Sequence, residues 1–142
     1  MSYSTAFSQA MAILLFVADN IRQGKFEYVP TRAIAEALEI PRPTAVKILG
    51  SLTRAGIIHS REGAKGGVRL ATDPTRLTAL SIFNAIEQQR ALFQYDVRFR
   101  VSGAKPTRAQ KEILQLLTGC EQAMKKVLAG TSLGELVDEL NK

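Results

Sequence analysis

Between Thr31 and Ala71 the chain sets two short helix-period segments and a glycine-rich basic hairpin in direct succession, an order that constrains the fold more than any other feature. Ile34, Ala35 and Leu38 share one face of a predicted two-turn helix, Thr31 to Leu38. After a tight break at Glu39 and Ile40, a further helix is predicted from Arg42 to Ala55, with Ala45, Ile48, Leu49 and Leu52 on one side. Gly56 stops it, as a residue free to take positive φ should. Ile57 to Arg61 and Val68 to Ala71 then read as short strands around Glu62, Gly63, Ala64, Lys65, Gly66 and Gly67. Upstream, Phe7, Ala10, Met11, Leu14, Leu15 and Ala18 recur at helical spacing from Thr5 to Ile21, a helix that should pack on the next two.

Two short helices, a tight turn and a basic hairpin follow the plan of a winged helix-turn-helix. At about 100° per residue, Thr44, Lys47, Ser51 and Arg54 fall in an arc of roughly 80°, away from the apolar side of their helix. A DNA major groove admits an α-helix, and Lys or Arg can pair there with guanine while Ser or Thr bonds to either kind of base edge. Lys47 is the best candidate base reader; Arg42, at the helix start, is placed to meet phosphate. On the hairpin, Arg61, Lys65 and Arg69 flank glycines that let the backbone lie close to a duplex. The charge agrees: 19 Lys and Arg against 13 Asp and Glu leave +6. From Ile40 to Arg76, Arg42, Lys47, Arg54, Arg61, Lys65, Arg69 and Arg76 face only Glu62 and Asp73. Such a surplus favours a polyanionic partner. The blander account is a solvated basic face on a scaffold that recruits a partner protein without binding DNA.

Beyond the hairpin, Thr78 reads as a helix cap with Leu77 and Ile82 as a hydrophobic staple. Arg90 to Arg100 is read as a weakly patterned helix, whose Phe93, Tyr95 and Phe99 are either ordinary packing or the lining of a ligand pocket. Thr107 and Gln110 are read as a capping box opening a long helix to about Ala129, closed at Gly130. Its Ile113, Leu117, Cys120, Met124 and Val127 make a 3.5-residue seam suited to packing along another helix. Ser132 and Glu135 form a second capping box, with Leu133, Leu136, Val137 and Leu140 as the buried stripe of the last helix. The predicted fold is mainly α with a small β-hairpin. Residues 1–76 form the winged helix-turn-helix and residues 77–142 a helical linker and dimerisation region.

Several chemistries are disfavoured. A single cysteine allows no intrachain disulfide, four-cysteine zinc cage or cysteine-held cluster. No cofactor or bound metal is expected. Cys120, within the seam, is expected to be a buried, inert thiol, with approach to a second copy's Cys120 as the minority reading. His59 has no second His or nearby Cys and is expected to be a surface or phosphate-contacting imidazole. No phosphate loop, nucleophile elbow or paired Cys and His appears, so an enzyme is not expected. The apolar run Met11 to Ala18 is far short of the ~20 residues that cross a bilayer. With no charged leader visible, the expected location is cytoplasmic.

The runs Ile34-Ala35-Glu36, Leu49-Gly50-Ser51-Leu52-Thr53-Arg54-Ala55-Gly56-Ile57-Ile58 and Gly63-Ala64-Lys65-Gly66-Gly67-Val68-Arg69-Leu70-Ala71 resemble the Rrf-type family of bacterial transcription regulators, the family of IscR and NsrR. Leu77-Thr78-Ala79-Leu80-Ser81-Ile82 and Ser132-Leu133-Gly134-Glu135-Leu136 extend the likeness over most of the chain. The resemblance implies a homodimer held by a long helix near the C-terminus, binding a dyad-symmetric operator mainly as a repressor. It maps the recognition helix onto Arg42 to Ala55 and the wing arginine onto Arg69. Pro41 replaces the usual cap serine, and Val68 stands where an aromatic residue is frequent. The three cluster cysteines expected between about Leu92 and Pro106 are absent. The resemblance includes several members that also lack them and respond to other signals, or to none known, so an unknown small-molecule or protein effector and no effector at all both stay open as expectations.

Overall fold

The computed structural model describes residues 4–88 and 90–142. Helix α1 (Ala6–Arg22) runs through the middle, its Ala10, Ile13, Leu14 and Val17 wholly buried. It packs against α2 (Thr31–Leu38), α3 (Arg42–Arg54) and the later α4 (Ala79–Glu87) and α6 (Leu133–Leu140). Ile34, Ala45, Ile48, Leu49 and Leu52 complete the core on the side of the first three helices.

The turn between α2 and α3 is made without glycine. Glu39 takes a left-handed conformation (φ 52°, ψ 39°), and the N–H of Ile40 reaches back to the Ala35 carbonyl at 3.1 Å. Pro41 then caps α3, and Pro43 sits in the first turn, where a missing N–H leaves no helical bond unmade. At the far end Gly56, φ 75°, turns the chain out, and the Ile57 N–H closes on the Leu52 carbonyl.

Strands β1 (Ile58–Arg61) and β2 (Gly67–Leu70) pair antiparallel, Ile58 opposite Leu70 and Arg61 opposite Gly67. A segment that no sequence pattern assigns to the wing joins them: Val29 and Val68 exchange two backbone hydrogen bonds, at 2.8 and 2.9 Å. Gly67 makes that approach possible, because a Cβ there would lie 2.2 Å from the Val29 carbonyl oxygen. A 3-10 turn, Pro74–Arg76, leads to α4, capped by the Thr78 hydroxyl accepting from the Ser81 N–H.

Helix α6 returns to the first helices instead of lying apart from them. The Ala79 N–H donates to the Thr131 carbonyl and the Leu133 N–H to the Leu77 carbonyl, both at 2.8 Å, so the capped starts of α4 and α6 are zipped together. Leu77, Ile82, Leu133 and Val137 thereby join one core cluster with residues of α1, α2 and α3.

Several expectations need correction. Arg90 to Arg100 is not helical. Gln88 ends α4 in a left-handed conformation, and the next residues lack the apolar spacing that stabilises a helix by packing. Helix α5 (Ala104–Ala129) starts three residues before Thr107, because Pro106 is tolerated in a first turn; the Thr107 hydroxyl donates to the Gly103 carbonyl and caps nothing. No α5 residue is buried: Ile113, Cys120 and Val127 are exposed in the single chain, since α5 touches chiefly α4. Cys120 is therefore not the buried thiol expected. Leu140, expected in the buried stripe of α6, is also exposed. Among the described residues, no helix is long and apolar enough to cross a membrane.

Candidate nucleic-acid interface

On α3 the buried stripe of Ala45, Ile48, Leu49 and Leu52 turns the opposite side outward. Arg42, Lys47 and Arg54 are exposed there, while Thr44 and Ser51 sit half-buried on its flank. The exposed side runs over Pro43, Val46, Lys47 and Arg54, with Thr44 and Ser51 bordering it beyond Lys47. Val46, 56% exposed, lies outside the set of residues expected from the sequence. On the helical wheel it lies about 120° from Leu52 and outside the Ala45, Ile48, Leu49 and Leu52 stripe, which is the signal that could have found it. A valine at a groove can contact a thymine methyl, as other apolar side chains do.

The flank is internally bonded. The Ser51 hydroxyl donates to the Lys47 carbonyl and accepts from the Arg54 guanidinium, each at 3.3 Å. Arg54 thus folds back along its own helix, over Gly50. Thr44, Lys47 and Ser51 border a crevice of about 600 Å³ against the N-terminus of α1 and the end of α4. Glu87, almost wholly buried, lines it too, ion-paired to Arg90 and accepting from the Ser4 hydroxyl at 3.3 Å. That pairing balances the buried acid, so the crevice does not place an uncompensated negative charge beside Lys47.

On the wing, Arg61 is held from three sides. Its guanidinium donates to the Lys65 carbonyl at 3.1 Å, lies 3.6 Å from the Glu27 carboxylate and covers the Tyr28 ring at 4.3 Å. Arg69, on β2, stands opposite His59 and lies 5.5 Å from the centre of the same ring. Lys65 is exposed at the tip. Gly66 folds the tip tightly, since a Cβ there would meet the Arg61 carbonyl oxygen at 2.3 Å. The structure therefore gathers the eight expected residues on two elements, α3 and the wing, with Tyr28 as an aromatic support that no local sequence pattern marks.

A family model, Rrf2, described as "Iron-dependent Transcriptional regulator", matches residues 3–139. The chain is 29% identical over 97 residues to a protein of Aquifex aeolicus provisionally named an HTH-type transcriptional regulator. That match covers 68% of this chain and 62% of the relative, under two thirds of the relative's length. Among solved structures it is similar to CymR, the global cysteine regulator of B. subtilis, with a TM-score of 0.70, 21% identity and 98% of each chain covered. It is also similar to IscR of T. potens, with a TM-score of 0.66, 20% identity and coverage of 99% of this chain and 88% of that one. At these identities the structural likeness establishes the fold.

The family description names iron, and the donor set does not fit it. An iron centre needs thiolates, imidazoles or carboxylates converging on one point. The one cysteine lies on α5 and the one histidine on β1. Among the described residues, no three His, Cys, Asp or Glu side chains gather as a metal site.

Proposed function

Because the chain belongs to the Rrf2 family of transcriptional regulators, and is not an enzyme, we propose that it binds double-stranded DNA as a cytoplasmic homodimer on a dyad-symmetric operator, mainly as a repressor. The outward ridge of α3 carries the reading. A helix whose polar side stands clear of its own core is free to enter a major groove, as the exposed Lys47 and Arg42 require. In this reading Lys47 reads a base, and Arg42 and Arg54 contact phosphate. Thr44 and Ser51 line the flank of the groove-facing side. Arg61, Lys65 and Arg69 present the wing to the neighbouring backbone or narrow groove. Residues 1–76 supply the DNA-reading unit and residues 77–142 the linker and the dimer contact.

The unburied α5 supports the dimer. Leu116 and Val127 are 67% and 70% exposed, and a second α5 packed along the first removes such apolar surface from water. Genomic footprinting of the full chain, followed by binding titrations on recovered sites and on random DNA at several salt concentrations, tests the proposal. Tight binding to inverted half-sites, dimeric mass in sedimentation and a steep salt dependence are expected. A stoichiometric protein partner retained from nuclease-treated lysate, with no DNA affinity, overturns it.

A further inference from the structure

The two wing guanidiniums that share the Tyr28 ring are not equivalent. Arg69 has no carboxylate within ion-pair distance among the described residues, and neither has Lys65. Arg61 has one: its guanidinium lies 3.6 Å from Glu27, an acid of the segment before α2 and not of the wing itself. Gly24, φ 72°, turns the chain out of α1, and the hydrogen bonds between Val29 and Val68 hold the following segment against the wing. That pairing brings Glu27 to Arg61. Glu62, next to Arg61 in the chain, makes no ion pair among the described residues.

Distances decide what Glu27 does there. The Lys65 carbonyl accepts from Arg61 at 3.1 Å, and the Tyr28 ring lies under the guanidinium at 4.3 Å. Those two contacts are enough to set the direction of the side chain. At 3.6 Å the Glu27 carboxylate is beyond hydrogen-bond length, so it contributes opposite charge rather than geometry. The side chains of Arg61 and Glu27 are 43% and 67% exposed, which leaves water and other anions free to compete for the guanidinium. An exposed ion pair of this kind shifts an equilibrium by a factor of about two to five.

We propose that Glu27 is a brake on the wing: it occupies Arg61, which must leave the carboxylate before it can meet a DNA phosphate, and so weakens duplex binding. The inference rests on the wing facing DNA, as proposed above, and adds a residue outside α3 and the hairpin that sets the strength of that contact. An acid near DNA also repels phosphates directly. Direct repulsion does not depend on Arg61, whereas the brake acts only through it.

The test is a fluorescence-anisotropy titration of a mixed-sequence DNA duplex with the full chain, with Glu27→Gln, with Arg61→Gln and with the double variant. Glu27→Gln should bind about two- to fivefold more tightly than the native chain. In the Arg61→Gln background the same substitution should change affinity by less than about 1.5-fold. The urea midpoint of Glu27→Gln should equal that of the native chain, because the Lys65 carbonyl and the Tyr28 ring still hold Arg61. Weaker binding with a lowered urea midpoint would make Glu27 a structural prop. That result, an unchanged affinity in Glu27→Gln, or a gain that persists without Arg61 overturns the proposal. Arg42→Ala on the same duplex separates this inference from the reading beneath it. If Arg42→Ala weakens binding while Glu27→Gln brings no gain, the DNA reading stands and the brake falls; if no variant binds the duplex even at low salt, both fall.

Discussion

The Arg61 guanidinium lies 4.3 Å from the centre of the Tyr28 ring, so a residue from the segment before α2 forms the platform on which the wing rests its cation. Arg69 shares that ring at 5.5 Å. Packing on an aromatic face restricts the rotamers of a long, flexible side chain and orders the charge before any partner arrives. A double-mutant cycle over Tyr28→Ala and Arg61→Ala, read by urea denaturation, should return a coupling of about 0.5–1 kcal/mol. Zero coupling means the ring supports nothing.

Lys47 and Ser51 should behave differently on DNA although they lie one helical turn apart. Lys47 is exposed, whereas the Ser51 hydroxyl already serves the Lys47 carbonyl and Arg54. Lys47→Ala is expected to cost about 1–3 kcal/mol on the operator and to relax preference at one base pair. Ser51→Ala should change affinity by under about 0.5 kcal/mol. Equal losses for Lys47→Ala on operator and random DNA would make it a phosphate contact instead.

Glycines of the wing should differ in tolerance. At Gly67, φ is 148° and a Cβ would collide with the Val29 carbonyl, which is backbone and cannot step aside. At Gly63, φ 102°, an added Cβ would meet nothing within 4 Å. Gly67→Ala is expected to destabilise by about 3 kcal/mol or more, with loss of the Val29–Val68 bridge. Gly63→Ala should cost only the strain of its backbone, about 1 kcal/mol. Urea midpoints of the two variants decide it.

Leu133 is wholly buried and Leu140, one helix-length later, is 58% exposed. Leu133→Ala should cost about 2–5 kcal/mol in global unfolding and Leu140→Ala under about 0.5 kcal/mol. A small effect of Leu133→Ala would show α6 to be a loose appendage.

Asp73 caps the 3-10 turn, and the Thr75 N–H and hydroxyl hold its carboxyl below the ordinary value of 3.8. A depressed folded value means the charged form stabilises the fold. That contribution is complete above pH 3.8 and disappears as pH falls through the lower folded value. Melting temperatures of the native chain and Asp73→Ala should therefore differ at neutral pH and converge only in strong acid. A gap independent of pH would assign the effect to something other than this charge.

Much of the architecture is legible in the sequence because its causes are local. The apolar spacing of Ile34, Ala45, Ile48 and Leu52, the stop at Gly56 and the caps at Thr78 and Ser132 each act within a few residues of chain. They correspond to α2, α3, the hairpin, α4 and α6 as found. Of the candidate interface, the exposed Lys47, Arg42 and Arg54 are readable from the same wheel. Val46 also falls outside the buried stripe on that wheel, but its apolar side chain gives no separate sign of an outward role.

Non-local features escape that reading. Arg90 to Arg100 has no stripe to bury and stays irregular; Leu92 instead donates its N–H to Glu121, 29 residues on, at 2.9 Å. The ring of Tyr28 meets Arg61 and Arg69 only because Val29 pairs with Val68, a partner far along the chain. The junction of Thr78 with Ser132 likewise brings α6 into the first core. Periodicity and capping report what a segment prefers within one or two turns. Which faces meet within one chain, and which are left exposed as those of α5 are in the single chain, depends on contacts between distant segments, whose free energy exists only once the chain has closed around a shared interior.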